Sequence, residues 1–416
     1  MQQAVDEFRT PRPITGRRVV ATGFVMAIFA WGLGFYGLSA YTQFLGADGR
    51  WSLATMSALT TLYFVAGSIS IGIADRLAAR IGRRRVGLAG VLALAGGTSL
   101  LAFATHPVAL VSLYLLMAFG WASTSGTAIT HLLAHWFDAR RGFALSLALT
   151  GASVSGFTVV PAMVAAIGHF GAGTGIALVA GAFALAPLVA LLGHVDQPRA
   201  RVAMQPASTG GQASPIAPGA ADAADAAARA RRPEEIVPIF VVGLFAQVAF
   251  LAQQLPILTP RVGAGAAATA VGVTTAAAVL GRLLLGAMVD RADHRLLTAA
   301  CFASQIAGMG MLLATSSTIG AWAGCVLFGV SVGNLITLPA VFVQREFPPG
   351  EQARVVSRIW SRSQFFYAFG PLASGHVLAQ TGSGDAVLAG CAILQAIALA
   401  LCLRGRAPRH RSPGRA

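Results

Sequence analysis

Lysine is absent: all 30 basic residues of this 416-residue chain are arginine, set against 15 acidic ones. Charge of either sign is scarce, at 11% of residues, while 56% are hydrophobic and the mean hydropathy is +0.69, which excludes an ordinary soluble domain of this length. Cysteine is also sparse. Cys301, Cys325, Cys391 and Cys402 all fall within apolar runs without metal-ligand spacing, which excludes a disulfide framework and leaves them as small packing residues. The first 18 residues carry Asp6, Glu7, Pro11 and Pro13 and lack the apolar core and small-residue cleavage site of a secretory signal, so the first apolar run is expected to be its own insertion signal. Acidic residues lie in loops or at the edges of apolar runs. No cluster of catalytic polar groups is visible, so neither an enzyme nor a resident cofactor or metal is expected.

What is present is a series of runs long enough to cross a ~30 Å hydrocarbon core, each about 20 residues. Twelve are legible, near 19–43, 53–74, 86–105, 108–131, 142–167, 172–195, 237–258, 267–289, 296–315, 319–343, 361–380 and 385–403. The predicted fold is an all-α membrane protein of 12 transmembrane helices in two six-helix halves. Arg50 and Arg261 fall in loops on one side and Arg282 lies inside a run, whereas the remaining 27 arginines fall on the other side or at its membrane edge. Positive-inside bias therefore places both termini in the cytoplasm of a multi-pass protein; the cell (inner) membrane is the expected location. The same bias accounts for the net charge of +15 without a nucleic-acid partner. The expected organisation is a cytoplasmic N-terminus over 1–18, a first half over 19–195, a flexible cytoplasmic linker over 196–236, a second half over 237–403 and a basic tail over 404–416. The linker assignment rests on a stretch rich in Ala, Gly, Ser, Pro and Arg without hydrophobic periodicity.

An offset of 214 residues superimposes the second run on the eighth. Thr60 and Thr61 match Thr274 and Thr275, Val65 matches Val279, Gly67 matches Gly281 and Gly72 matches Gly286. Each series then enters Asp-Arg, at Asp75-Arg76 and, one position later, at Asp290-Arg291. Parallel repeats of six spans are one way transporters place a central site between two halves. In this register Arg282 corresponds to Ser68, so the charge belongs to one half only.

Six plus six spans, with Gly286, Asp290 and Arg291 leading into the loop after span eight, resemble the major facilitator superfamily, whose loop motif is Gly-x3-Asp-Arg-x-Gly-x-Arg-Arg. The first half offers Gly72, Asp75, Arg76, Gly82, Arg83, Arg84 and Arg85, but aligned on Gly82 the motif's Asp position is Ala79, and Asp75 lies one helical turn earlier. In the second half Asp293 occupies the motif's later Gly position. The resemblance implies that these loops gate the switch between inward- and outward-open states; a topogenic arginine cluster is compatible with that role. Trp136-Phe137, Arg140 to Ala144, Gly151 and Gly156 resemble the entry to span five of bacterial monocarboxylate-transporter-like carriers. Gly333-Asn334 to Pro339 and Gln344 to Phe347 are similar to bacterial organic-anion carriers of that group. The span-four arginine and span-five Gly-Pro of drug/proton antiporters are missing.

Arg282 is the leading site candidate, because an intramembrane guanidinium without a nearby carboxylate invites an anionic ligand. Counted from Asp290 it lies eight residues along the axis, about 12 Å at ~1.5 Å per residue; snorkelling toward the headgroups is the alternative. The carrier resemblance implies that this arginine pairs with the substrate carboxylate. The Asp that animal members place one turn earlier is here Ala278, and their span-one Lys has no counterpart. Gln253, Gln254, Asn334, Thr337, Gln364 and Tyr367 are candidates to complete the cavity or, alternatively, to bond helix to helix. Trp31 and Trp121 either pack or line the route. His376 is a candidate proton carrier or a hydrogen-bonded helix residue. The expected function is secondary transport of a small organic anion, a monocarboxylate, by a monomer that alternates access with proton symport or anion exchange. The competing expectation keeps the fold as an exporter of a neutral or cationic compound.

Overall fold

The structure, a computed structural model, describes residues 13–47, 49, 51–134, 136–137, 141–193, 233–289 and 291–404. Asp290, Arg140, most of the expected linker and most of both terminal tails lie outside the described residues. All elements are helices, with no strand among the described residues. This is what a chain of this hydropathy requires, since a helix satisfies its own backbone where no water can.

Among the described residues the helices group into twelve segments that follow the order of the twelve expected runs. Span one joins Pro13–Trp31, a π-helical turn at Gly32–Tyr36 and Gly37–Ala47. Span two is Leu53–Ile81, span three Arg83–Leu101, and span four Pro107–Thr124 with Gly126–Ala134. Spans five and six form one continuous assignment, Arg141–Leu192, that breaks at Gly171. There φ is +77°, a conformation glycine adopts without a side-chain clash. Span seven is Pro233–Val262, span eight Ala264–Met288 and span nine His294–Ala314. Span ten joins Thr318–Val332 to Asn334–Glu346, span eleven joins Pro349–Tyr367 to Gly370–Thr381, and span twelve is Gly384–Arg404. Nine helices among the described residues are long and apolar enough to cross a membrane, one of them, Leu147–Leu192, holding two passes.

Several helices overrun their apolar runs, furthest at the end where the arginine-rich loops lie. Span two continues to Ile81, which brings Asp75 inside the helix, and Gly82 stops it with φ +94°. Span seven begins at Pro233 within the expected linker, because proline suits a first helical turn and Glu234 and Glu235 complement its positive end. Span nine starts on Asp293, whose carboxylate accepts from the backbone of Arg295 (2.8 Å) and Leu296 (3.1 Å). That helix cap is a physical reason for the motif's glycine position to hold an acid here.

The halves share one packing pattern. Span one packs on five, two on four, three on four and six; correspondingly seven packs on eleven, eight on ten, nine on ten and twelve. The repeat glycines serve this pattern: Gly281 of span eight lies directly under the Val330 carbonyl of span ten, and Gly67 of span two faces Trp121 of span four. The halves meet through spans five and eight, two and eleven, and one and seven. Ser57 accepts from Gln253 (2.9 Å), Thr61 from the Leu372 backbone (3.1 Å), Ser68 from Gln364 (2.9 Å) and Ser153 from Arg282 (3.4 Å). All of these lie at mid-depth or toward the end opposite the arginine-rich loops. The buried core agrees: the first half shares one apolar cluster with residues such as Leu255, Ala267 and Leu388, whereas Phe240, Phe302, Phe342 and Ile359 form a separate cluster at the arginine-rich end. The bundle is thus joined at one end and divided at the other.

Candidate functional site

Arg282 sits where the halves begin to part. Its side chain lies flat on Gly333, the residue at which span ten is interrupted; a Cβ built there would stand 2.9 Å from Arg282 Cγ and 3.0 Å from Cδ, and closer still to Nε. Only glycine leaves that seat open. Asn334 helps hold the interruption by donating Nδ2 to the Val330 carbonyl at 3.1 Å, and Thr337 bonds back to the Asn334 carbonyl at 3.1 Å. Behind them Gln247, Gln305 and Gln395 form a buried chain, Gln395 to Gln305 (2.5 Å), Gln305 to Gln247 (2.7 Å), Gln247 to the Val332 carbonyl (3.4 Å). The seat of Arg282 is therefore tied to spans seven, nine, ten and twelve.

The guanidinium reaches out of this half toward the other. Nη1 donates to Ser153 Oγ of span five at the long distance of 3.4 Å, and Tyr36, at the end of the span-one π turn, is its electrostatic neighbour. Among the described residues Arg282 forms no ion pair, so one weak hydrogen bond is set against five N–H donors. Tyr36 and Ser153 were not legible as site residues. The chain has only 5 tyrosines, and one of them beside the Gly32–Gly37 stretch was the available signal, since π turns recur at functional positions.

The other candidates separate. Gln364 bonds Ser68, the repeat counterpart of Arg282, and so spans the gap between halves at the same level. Tyr367 reaches across too, its ring 6.3 Å from that of Phe64. Trp31 and Trp121 meet edge to face at 5.1 Å, and Phe35 stacks on Trp121 at 6.4 Å. Gln253 and Gln254 are buried; the first closes the far end on Ser57, the second bonds Thr274 at 2.8 Å within its own half. Neither reaches Arg282. His376 is exposed, one position past Gly375, which is the residue that packs against Ser57. The structure gathers Tyr367 and the two tryptophans into one aromatic group with Phe35 and Phe64, sets Gln364 on the repeat counterpart of Arg282, and leaves Gln253, Gln254 and His376 elsewhere.

At the arginine-rich end, Asp75 Oδ1 meets His131 Nδ1 of span four at 3.1 Å. Asp75 lines a small cleft there together with Arg83 and Arg84. Gly82 supplies the turn between spans two and three, Gly72 lies near Arg76 on the same helix, and Gly286 faces open space. Arg291 folds back on the Ala287 carbonyl at 3.4 Å. In the second half a different set of charges lies at this end: buried Glu346 takes buried Arg295 at 2.6 and 2.7 Å and His294 at 2.8 Å, while Arg295 also reaches the Cys402 carbonyl at 3.0 Å.

A sequence profile described as Major Facilitator Superfamily matches residues 19–371. The chain belongs to the Major Facilitator Superfamily. Among solved structures, this superfamily member resembles a mutant of the nucleoside transporter NupG, with TM-score 0.72 and 14% identity over 94% of this chain and 99% of that one. NupG itself gives 0.70 and 15% over 94% and 98%. A bacterial homolog of the human lysosomal transporter Spinster, in an inward-facing and unoccupied conformation, gives 0.66 and 15% over 95% and 97%. At these identities the likeness is one of fold. A comparison with curated protein sequences finds no match.

Gly333→Ala tests the seat directly. The added methyl would press on Arg282, and such overpacking costs about 1–3 kcal/mol of stability unless the side chain swings away. The expected result is a modestly lower melting temperature together with ligand binding weakened by roughly tenfold, about 1.4 kcal/mol, as the guanidinium leaves its seat, read by titration of the purified protein; equal binding would show that Arg282 does not need its seat.

Proposed function

We propose that this superfamily member is a secondary transporter of a small organic anion, a monocarboxylate, working by alternating access of its two halves. The observation that carries the proposal is the guanidinium of Arg282: embedded at mid-depth, aimed from one half at the other, and without an ionic partner among the described residues. A carboxylate satisfies such a group with two parallel charge-assisted hydrogen bonds, and Ser153 and Tyr36 are placed to supply neutral ones. Because Ser153 and Tyr36 belong to one half and Arg282 to the other, an anion held among them draws the halves together.

With the arginine-rich end in the cytoplasm, the division between the apolar clusters opens the Arg282 level inward. The loops after spans two and eight act as gates in this scheme. Asp75, held by His131, and Arg291 lie at the surfaces that must meet when the inner side closes. Transport takes place in the inner membrane by a monomer, and its driving force is a proton or a counter-anion.

The test is a stability screen of the purified protein against carboxylates and against hydrophobic cations at two pH values. A ligand that binds the native state raises its apparent stability by RT ln(1 + [L]/Kd). Carboxylates are expected to stabilise the protein and to compete in uptake. Stabilisation by hydrophobic cations alone would replace this proposal with an exporter on the same fold.

A further inference from the structure

Tyr36, the electrostatic neighbour of Arg282, begins a series of aromatic rings. Phe35 precedes Tyr36 in the π turn, with their rings 5.1 Å apart and nearly perpendicular. From Phe35 the rings continue to Phe64 of span two at 6.0 Å and Trp121 of span four at 6.4 Å, then to Trp31 of span one and, across the divide, Tyr367 of span eleven. Each of these side chains is only partly buried, unlike the fully enclosed Tyr63 beside them. Rings that served only to fill the first half would be enclosed by it, and one of the set would not belong to the second half.

Phe35 and Phe64 face a shallow cleft whose other walls are Leu38, Val248, Leu251 and Ala252. No wall residue carries a polar side chain. A hydroxyl or a second carboxylate placed there would lose its hydration without a partner, which costs about 1–3 kcal/mol for a neutral group and far more for a charge. An anion whose body reaches these walls is therefore expected to carry no hydroxyl or second carboxylate there. A planar ring, by contrast, meets edges and faces already disposed at 25° to 90° to one another, the arrangements in which aromatic pairs attract.

We propose that the transported anion is an aryl monocarboxylate, its carboxylate on Arg282 and Tyr36 and its ring against Phe35, Phe64 and Trp121. The inference rests on the anion reading of Arg282 and narrows it to a chemical class. It also assigns Phe35 and Phe64 as residues that set specificity.

The experiment compares benzoate and phenylacetate with cyclohexanecarboxylate, propionate, lactate and succinate as ligands of the full-length protein, by thermal stabilisation and by tryptophan fluorescence. Wild type, Phe35→Leu and Arg282→Ala are measured side by side. Benzoate is expected to bind about three- to tenfold more tightly than cyclohexanecarboxylate, the increment that aromatic pairing adds beyond buried area. Phe35→Leu should reduce that ratio toward one, a readout that partial loss of folded protein does not move. Propionate or lactate binding through Arg282 as tightly as benzoate would overturn the aryl class and leave the anion reading standing. If no carboxylate binds in a manner that depends on Arg282, the anion reading falls and this inference with it.

Discussion

Arg282→Ala is expected to lower saturable carboxylate uptake roughly a hundredfold in reconstituted vesicles, because truncating one member of a desolvated, hydrogen-bonded charge pair costs about 2–5 kcal/mol. Arg282→Lys should recover only part of the loss. Lysine restores a charge but not the planar fork that takes both carboxylate oxygens, and its head would no longer lie along Gly333. Without ligand the opposite sign is expected for stability. The guanidinium has one long hydrogen bond and no ion pair among the described residues, so Arg282→Met removes an incompletely compensated charge and should raise the melting temperature. Loss of transport with a gain in stability is the signature of a group kept for its ligand rather than for packing. Full uptake by a folded Arg282→Ala protein would remove Arg282 from the site.

Glu346→Ala is expected to be the most destabilising single change at the arginine-rich end. Glu346 and Arg295 are both buried, paired through two hydrogen bonds, with His294 on the same carboxylate and the Arg295 guanidinium 4.8 Å from the centre of the Phe342 ring. Removing the carboxylate strands Arg295 among spans nine, ten and twelve, and breaking such a pair costs about 3–5 kcal/mol. The check is thermal unfolding in detergent, with a double-mutant cycle through Arg295→Met. The double variant should regain much of the loss, since apolar residues of similar volume are often as stable as the pair they replace. A Glu346→Ala protein that melts with the wild type would show that the cluster is not structural.

These sites differ in how far they could be read in advance. The spans were legible because hydrocarbon tolerates only long apolar helices, and the repeat was legible because Gly67 and Gly281 do the same packing job in both halves. Arg282 stood out for the same reason, as a charge where charge is costly. The overruns of spans two and eleven were not legible: their extensions, Asp75 to Ile81 and Pro349 to Trp360, carry charged residues that hydropathy assigns to loops although a helix accommodates them.

Ser153 lies 129 residues from Arg282 and is one of many neutral polar residues in apolar helices, so nothing local marks it. Gln253 and Gln254 illustrate the converse. Adjacent on one helix, they point about 100° apart, one toward Ser57 of the other half and one toward Thr274 of its own.

By itself, then, the sequence determined an all-helical membrane protein with a duplicated plan and one costly cation, since each follows from what a bilayer permits along a single helix. The tertiary structure alone decided which faces meet: that Arg282 rests on Gly333 and reaches toward Ser153 and Tyr36, that aromatic rings from both halves gather beyond Tyr36, and that the halves are joined at one end. Those are relations between helices separated by many turns of chain, and the rotation of each helix about its axis is set by packing against its neighbours.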